Sequence, residues 1–316
     1  MTELLTSATA FAPATVANVA VGFDLMGFAI SGFGDTVTVR HIDEPTVKID
    51  EITGVVPDLP LEAEKNTAGV VLLRLLDKGV KSGGFALKIQ KGIPLGSGMG
   101  GSAASAAGAL VAANKLLKNP LPLEELYLLS LFGETLAGGA PHGDNVGPCL
   151  TGGLLLARSV SYPVDLVHLP IPSEIRAVVV HPHICISTKE ARAILRSDVP
   201  LKSFIEQSGN LAGFISACYT NDYKMIGRCL RDVVIEPQRA ALIPGFADAR
   251  KNAFDSGALG FSISGSGPAV FALCRGDEAA TKVRKGIVEA FLRHSLPCDE
   301  WSGSISELGA YIVSFS

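Results

Sequence analysis

Alternation of apolar and polar positions marks several short strands along the chain. Residues 34–42 and 84–90 alternate in this way, as a strand with one buried face does. Residues 152–157 and 175–180 are short apolar runs, which indicate strands buried on both faces. Further strands are predicted at residues 260–263, 269–274 and 309–314.

Helix signals recur between these strands. The predicted helices cover residues 66–78, 102–118, 122–138, 188–196, 203–219, 246–257 and 276–293. Asn66 is a candidate cap for the first helix, and the third is expected to stop at Gly138-Gly139. Ser187 and Glu190 have the spacing of a capping box before the fourth.

Strand and helix patterns alternate on both sides of a proline-rich stretch at residues 162–174. A chain of 316 residues is long enough for roughly two domains of about 150 residues each. The pattern therefore predicts two α+β domains, which we divide into residues 1–165 and 166–316.

Composition indicates a globular protein, with 47% apolar and 18% charged residues and a net charge of -4. The basic residues form no cluster, so nucleic acid is not an expected partner. Apolar runs break well before the ~18 residues of a membrane span, and the N-terminus lacks the basic start of a signal peptide. Six scattered cysteines without a C-x-x-C pair indicate reduced thiols. We therefore expect a cytoplasmic protein with no membrane partner.

The glycine-rich stretch PLGSGMGGSAAS, residues 94–105, lies between a predicted strand and a predicted helix. A dinucleotide fingerprint needs an acidic residue about 20 positions later, and the window after Gly101 lacks one. A Walker A loop needs a lysine after the last glycine, which is also missing. A structural turn and a lysine-free phosphate loop remain. Backbone N–H groups and the helix N-terminus, with the hydroxyls of Ser102 and Ser105, would bind phosphate in the second case.

This stretch resembles the second motif of the GHMP kinases, P-x-x-x-G-L-G-S-S-A-A, with Met99 and Gly101 as departures. Residues 12–29 resemble the first motif of that family, and residues 260–273 resemble its third. The resemblance implies a two-domain α+β fold, in which the N-terminal half is like ribosomal protein S5 domain 2 and the C-terminal half is ferredoxin-like.

Within this family, the match is best for the branch that acts on L-homoserine. The matching segments are Ala17-Asn18, Gly22-Phe23-Asp24, 141–153, 188–192 and 236–246. The resemblance implies transfer of the γ-phosphoryl group of ATP, with Mg²⁺, to the side-chain hydroxyl of L-homoserine in threonine biosynthesis. The alternatives are a kinase of the mevalonate or shikimate type, or a relative that binds a metabolite without catalysis. A homodimer is the expected assembly.

The resemblance also assigns candidate residues for the nucleotide and the metal. The expected nucleotide contacts are Asn66, Pro94, Leu95, Gly96, Ser97, Gly98, Met99, Gly100, Gly101, Ser102, Ala103, Ala104, Ser105 and Thr188. Ser102 and Glu134 are the expected magnesium ligands, because hard oxygen donors suit that ion. Glu134 could otherwise face solvent.

Five residues are the expected substrate contacts: Asn18, Asp24, His142, Arg192 and Arg239. The two arginines would bind the carboxylate, since a planar guanidinium can bind it through two hydrogen bonds. Asn18 and Asp24 would recognise the ammonium and hydroxyl groups. Asp144, beside Asn145, is a candidate catalytic base. It could equally be structural, because phosphoryl transfer depends mainly on positioning and electrostatics.

Overall fold

The computed structural model describes residues 5–79, 83–138 and 141–316, and its strands form two sheets. The strands are β1 (Ser7–Ala17), β2 (Met26–Ile42), β3 (Val47–Gly54), β4 (Gly84–Lys91), β5 (Leu154–Ala157), β6 (Leu166–Leu169), β7 (Ile175–Pro182), β8 (Gly260–Ile263), β9 (Val270–Arg275), β10 (Cys298–Gly303) and β11 (Tyr311–Phe315). Within the described residues, the first sheet has the order β11-β1-β2-β4-β3, and β5 and β6 extend it from β2. The second sheet has the order β10-β7-β9-β8.

Helices cover both sheets. They are α1 (Thr67–Asp77), α2 (Gly101–Lys115), α3 (Leu123–Gly138), α4 (Gly143–Thr151), α5 (Thr188–Ala193), α6 (Leu201–Thr220), α7 (Tyr223–Cys229), α8 (Glu236–Arg239), α9 (Phe246–Asp255) and α10 (Asp277–Arg293). Short 3-10 turns lie at Ala63–Lys65 and Ala240–Leu242. No helix in the described part of the chain is both long and apolar enough to cross a bilayer.

The two-domain α+β fold predicted from the sequence is confirmed, and several element limits differ from the predictions. Helix α5 ends at Ala193, and Ser187 occupies its N-cap without making the capping hydrogen bond among the described residues. Asn66 does cap α1, because its Oδ1 accepts from the backbone N–H of Ala68 at 3.0 Å. Gly139, at the expected end of α3, lies outside the described residues.

The chain enters the second sheet after β6 and returns to the first at β11. Strand β6 pairs with β5, and β11 pairs with β1, although both follow residue 165. The change of sheet therefore falls between Leu169 and Ile175. The division into domains at residues 1–165 and 166–316 stays a proposal, and it does not coincide with the division of the strands between the two sheets.

Helix α2 packs closely on the first sheet because its buried face consists of small residues. Ala103, Ala106 and Ala107 are fully buried, and Gly108 lies where a Cβ would come within 3.0 Å of Val37. Small side chains let the helix approach the strands closely. Packing along the helix therefore fixes the position of its N-terminus.

A buried ion pair lies beneath the start of α2. The Lys91 ammonium contacts the Asp35 carboxylate, and their side chains are 5% and 0% exposed. Ser105 Oγ donates to Asp35 Oδ2 at 2.8 Å, and the backbone N–H groups of Gly92 and Ile93 donate to Oδ1 at 2.9 and 3.2 Å. This network satisfies the buried carboxylate and joins β2, the end of β4 and α2.

Asp35→Ala should lower the free energy of unfolding by about 3–5 kcal/mol, because it leaves the Lys91 charge buried without its partner. Urea denaturation would measure the change. Asp50→Ala is the control. It breaks an ion pair with Arg40 whose side chains are 32% and 52% exposed, and it should cost less than about 1 kcal/mol. Equal losses of unfolding free energy in the two variants would contradict the claim that the buried pair contributes more than the exposed one.

Candidate active site

The segment between β4 and α2, residues 94–100, forms a loop with repeated left-handed backbone conformations. Gly96, Gly98 and Gly100 have φ values of 62°, 78° and 70°. Glycine adopts such values without steric cost. A Cβ at Gly100 would overlap the Thr15 hydroxyl and the Asn145 side chain, and a Cβ at Gly98 would overlap backbone atoms of Ser264 and Gly267.

Every carbonyl from residue 96 to residue 101 accepts a hydrogen bond from the surrounding protein. The donors, in chain order of the acceptors, are Ile186 N (3.3 Å), Ala269 N (3.0 Å), Ser264 Oγ (2.8 Å), Thr15 N (3.1 Å), Ala104 N (2.9 Å) and Lys91 Nζ (2.9 Å). These donors come from all three motif segments, from the β7–α5 connection and, in the case of Lys91, from the end of β4. The loop conformation is therefore set through its carbonyl groups.

The N–H groups of the same loop are left available. Within the described residues, the backbone N–H groups of residues 98–103 donate to no other group. Gly100 is the N-cap of α2 and has no side chain with which to cap it. An uncapped helix N-terminus beside converging N–H groups is a binding site for anions such as phosphate.

Ser102 and Glu134 meet beside this N-terminus. Ser102 Oγ donates to Glu134 Oε1 at 2.5 Å. Burial raises the pKa of the Glu134 carboxyl, and the hydrogen bond from Ser102 partly offsets this. Glu134 has no ion pair with a cationic side chain in the described part of the chain. A hydroxyl and a buried carboxylate without a cation form a suitable ligand pair for Mg²⁺.

Two arginines, Arg192 and Arg239, make another part of the site cationic. Arg239 is 3% exposed, and its Nε and Nη1 donate to the carbonyl oxygens of Ala191 and Gly265, both at 3.0 Å. It makes no ion pair with a described carboxylate. Burial lowers the pKa of this guanidinium, and the nearby Arg192 charge lowers it further. A buried charge needs an anionic partner, so this position favours binding of a carboxylate.

Arg192 already has such a partner. Its Nη2 contacts both carboxylate oxygens of Asp24, at 2.7 and 3.0 Å. The His142 ring lies 3.5 Å from the same carboxylate through Nδ1, and its buried Nε2 has no hydrogen-bond partner among the described residues. Burial is the main cause that lowers the pKa of His142. The carboxylate of Asp24 thus contacts both the guanidinium of Arg192 and the imidazole of His142.

The backbone that carries Asp24 is strained. Asn18, Val19, Ala20 and Asp24 have positive φ values of 70°, 42°, 57° and 58°. Asn18 holds this turn, because its Oδ1 accepts from the Asp24 N–H at 3.0 Å and its Nδ2 donates to the Gly265 carbonyl at 2.8 Å. Such outliers occur where the surrounding structure imposes them, often at binding sites.

Asp144 and Asn145 lie in the first turn of α4, a helix that the sequence analysis did not predict. Asp144 is buried, and its Oδ1 has no hydrogen-bond partner among the described residues. Burial raises the pKa of Asp144 to about 7, with a further contribution from the negative charges of Asp24 and Glu134. Asn145 Oδ1 accepts from Thr15 Oγ1 at 2.7 Å. Asp144 can therefore gain or lose a proton near neutral pH.

These groups line one cavity of about 490 Å³. The predicted residues on its wall are Asn18, Asp24, Asn66, residues 94–102, Ser105, Glu134, His142, Asp144, Asn145, Thr188, Arg192 and Arg239. Ala103 and Ala104 do not line it, because both side chains are fully buried in the core. The volume is within the range of small-molecule pockets.

Several wall residues were missed from the sequence. Lys91, Lys65, Cys185 and Ser266 also line the cavity. Ser266 Oγ lies 3.4 Å from the hydroxyl of Thr188. Ser266 is inside the third motif, GFSISGSGPAVFAL, so the glycine-rich context was the available signal. Nothing in the local sequence distinguishes Lys65 or Cys185.

Comparisons with known proteins agree with this arrangement. The model of the GHMP kinases N terminal domain matches residues 66–153, and the model of the GHMP kinases C terminal domain matches residues 214–293. Homoserine kinase from Xanthomonas campestris pv. campestris is 46% identical over 310 residues, 98% of this chain and 95% of that protein. The crystal structure of homoserine kinase from Cytophaga hutchinsonii has a TM-score of 0.94 and 42% identity, over 99% of each chain.

The chain belongs to the GHMP kinase family. A more distant structure, L. major mevalonate kinase in complex with R-mevalonate, has a TM-score of 0.71 at 17% identity, over 96% of this chain and 98% of that one. At that identity the likeness concerns the fold alone.

Gly100→Ala should weaken binding of ATP more than it weakens the fold. The new Cβ would overlap Thr15 and Asn145 and displace the start of α2. Gly32→Ala is a matched control, because Gly32 has φ +71° and no described atom within 4 Å of an added Cβ. Gly32→Ala should lose about 1 kcal/mol through backbone strain alone, and Gly100→Ala should lose more because its Cβ also overlaps Thr15. Calorimetric titration should show weaker ATP binding in Gly100→Ala alone, and equal affinities would contradict the assignment of the loop.

Proposed function

We propose that this protein is a homoserine kinase, which transfers the γ-phosphoryl group of ATP to the side-chain hydroxyl of L-homoserine and forms O-phospho-L-homoserine. GHMP kinases use ATP with Mg²⁺, and the product is used in threonine biosynthesis. The observation that carries the proposal is the set of groups that line one cavity, an anion site, a buried carboxylate and a buried arginine without a described carboxylate partner. The relatives named above carry the same activity in their names.

The phosphates fit the loop end of the cavity. The free N–H groups of residues 98–103 and the N-terminus of α2 would bind phosphate oxygens. The Ser102–Glu134 pair would hold Mg²⁺ there, and the ion would neutralise charge on the transferred phosphoryl group. Asn66 and Thr188 are proposed nucleotide contacts, since both line the same cavity.

L-Homoserine would bind at the part of the cavity that Asp24, Arg192 and Arg239 line. Its carboxylate would bind Arg239, whose charge has no described carboxylate partner, together with Arg192. Its ammonium would bind Asp24, which the Asn18 side chain holds in place. His142 lines the same cavity beside Asp24 and would give a further polar contact. The orientation of the acceptor hydroxyl follows from these contacts, and positioning of this kind lowers the barrier of phosphoryl transfer.

Asp144 is the proposed base for the acceptor hydroxyl. It is buried, has a free carboxylate oxygen, and its pKa is raised to about 7. A base with a pKa near the working pH is effective in proton transfer. Asn145 is proposed to act with it, because its hydrogen bond with Thr15 fixes the turn that carries both residues.

A cytoplasmic location and a homodimer stay predictions from the sequence.

The direct test of this function is release of ADP from ATP and Mg²⁺ with a panel of acceptors. L-Homoserine should give turnover, and mevalonate, shikimate and galactose should not. The three alternatives lack the α-ammonium that Asp24 would bind. Turnover with mevalonate or shikimate in place of L-homoserine would assign the protein to another branch of the family, and no turnover with any acceptor would support a binding protein without catalysis.

Arg239→Ala should raise the KM for L-homoserine and leave the KM for ATP unchanged. Loss of one charge-assisted hydrogen bond costs about 1.5–3 kcal/mol, which is roughly a 10- to 200-fold loss of kcat/KM. Arg239→Lys should recover part of it, since lysine keeps the charge and loses the planar geometry. Arg275→Ala, which removes an exposed arginine paired with Glu174, should change neither constant. A rise in the KM for ATP alone would show that Arg239 binds the nucleotide and not L-homoserine.

The pH dependence of kcat/KM tests Asp144. Burial favours the neutral carboxyl, so the reactive carboxylate is the minor form below its pKa of about 7. The rate should therefore rise with pH and level off above about pH 7. Asp144→Asn should lack this rise and lose roughly 100- to 10,000-fold in rate. Near wild-type rates in this variant, with intact folding by circular dichroism, would show that no base is needed there.

A further inference from the structure

A second group of potential metal ligands lies away from the cavity, at the end of β7. His181 lies in β7 and His183 follows the last residue of the strand. Residues two apart on a strand point to the same face. Asp299 on β10 is the register partner of His181. Two imidazoles and one carboxylate therefore meet on one face of the second sheet, and none of the three lines the cavity.

The ligand atoms already have separations close to those in a metal site. His183 Nε2 lies 3.1 Å from Asp299 Oδ1, and His181 Nδ1 lies 3.5 Å from Asp299 Oδ2. Ligand atoms 2.0–2.1 Å from a tetrahedral Zn²⁺ ion are about 3.3 Å apart. All three ligand atoms lie within 4.8 Å of one another. The remaining distance can close by rotation of His183, which is 46% exposed.

The environment of the three residues also suits a bound ion. His181 is buried, and its Nδ1, the nitrogen that faces Asp299 at 3.5 Å, is the atom that would bind the ion. His183 and Asp299 are 46% and 60% exposed, so an ion could enter from solvent and keep water as a further ligand. Imidazole nitrogens favour Zn²⁺ and related transition metals, whereas Mg²⁺ favours oxygen ligands.

We propose that His181, His183 and Asp299 form a binding site for one Zn²⁺-type transition-metal ion, separate from the Mg²⁺ site of the kinase reaction. The ion would connect the end of β7 to the start of β10. Two residues beyond His183 the chain reaches Cys185 on the cavity wall, and the Ile186 N–H donates to the Gly96 carbonyl of the phosphate loop. Metal binding would therefore stabilise the segment on which that loop rests.

The experiment uses the full chain after removal of metals with a chelator. Equilibrium dialysis against micromolar ZnCl₂, with metal analysis, should give one zinc per chain, and millimolar Mg²⁺ should not displace it. The melting temperature should rise with zinc, because an ion that binds only the folded state stabilises it. His183→Ala and Asp299→Asn change exposed side chains, and each should bind no zinc at this concentration while it retains Mg²⁺-dependent kinase activity.

His294→Ala is the matched control. His294 forms an exposed pair with Asp248 at 2.6 Å, and the described residues place no second imidazole beside it. This variant should still bind one zinc. Co²⁺ binding should give a spectrum without the thiolate charge-transfer band, which separates this site from the cysteines. Unchanged zinc content in His183→Ala, equal loss in His294→Ala, a thiolate band, or no zinc in the wild type would each overturn the proposal.

Discussion

The phosphate loop must be rigid and yet leave its N–H groups free, and hydrogen bonding to its carbonyl groups meets both requirements. Six successive carbonyls, from Gly96 to Gly101, accept from donors elsewhere in the chain or in α2. Because the carbonyl side of each peptide group is fixed in this way, the loop is held in place while the N–H groups of residues 98–103 have no described acceptor. The loop therefore needs no lysine of the Walker type. Its positive potential comes from backbone dipoles and from the start of α2.

Two buried ionisable side chains without ion-pair partners distinguish two binding regions of the cavity. Glu134 lies beside the start of α2 and has no described cation partner, while Arg239 lies against the carbonyls of Ala191 and Gly265 and has no described carboxylate partner. Each would be costly in an empty, dry interior. Each is also complementary to one part of the proposed reactants, the Mg²⁺ ion and the amino-acid carboxylate. By contrast, Asp35 and Lys91 form an ion pair with each other beneath the loop, and this pair stabilises the fold.

Local sequence was sufficient to find the groups that belong to continuous motifs. The glycine loop, Asp144 and Arg239 lie in segments that resemble family motifs, Glu134 was assigned through the same resemblance, and the structure brings them to one cavity. Their roles in binding and catalysis stay predictions.

Groups that meet through sheet register could not be found from the sequence. Asp35 and Lys91 are 56 residues apart, and His181 and Asp299 are 118 apart. Strand β1 was missed because its Ala-rich second half is buried on both faces and does not alternate. Helix α4 was missed because it contains glycines and Pro148, which usually indicate a loop.

The central claim is that the charge of Arg239 is kept unpaired for the carboxylate of the acceptor. The most direct test compares L-homoserine with 3-aminopropan-1-ol, which has the same hydroxyl and ammonium groups and no carboxylate. In the wild type, kcat/KM should favour L-homoserine by at least about 10- to 200-fold. In Arg239→Ala the preference should fall by most of that factor, because the partner of the carboxylate has been removed. The same preference in both proteins would show that Arg239 does not recognise the carboxylate, and it would contradict the account.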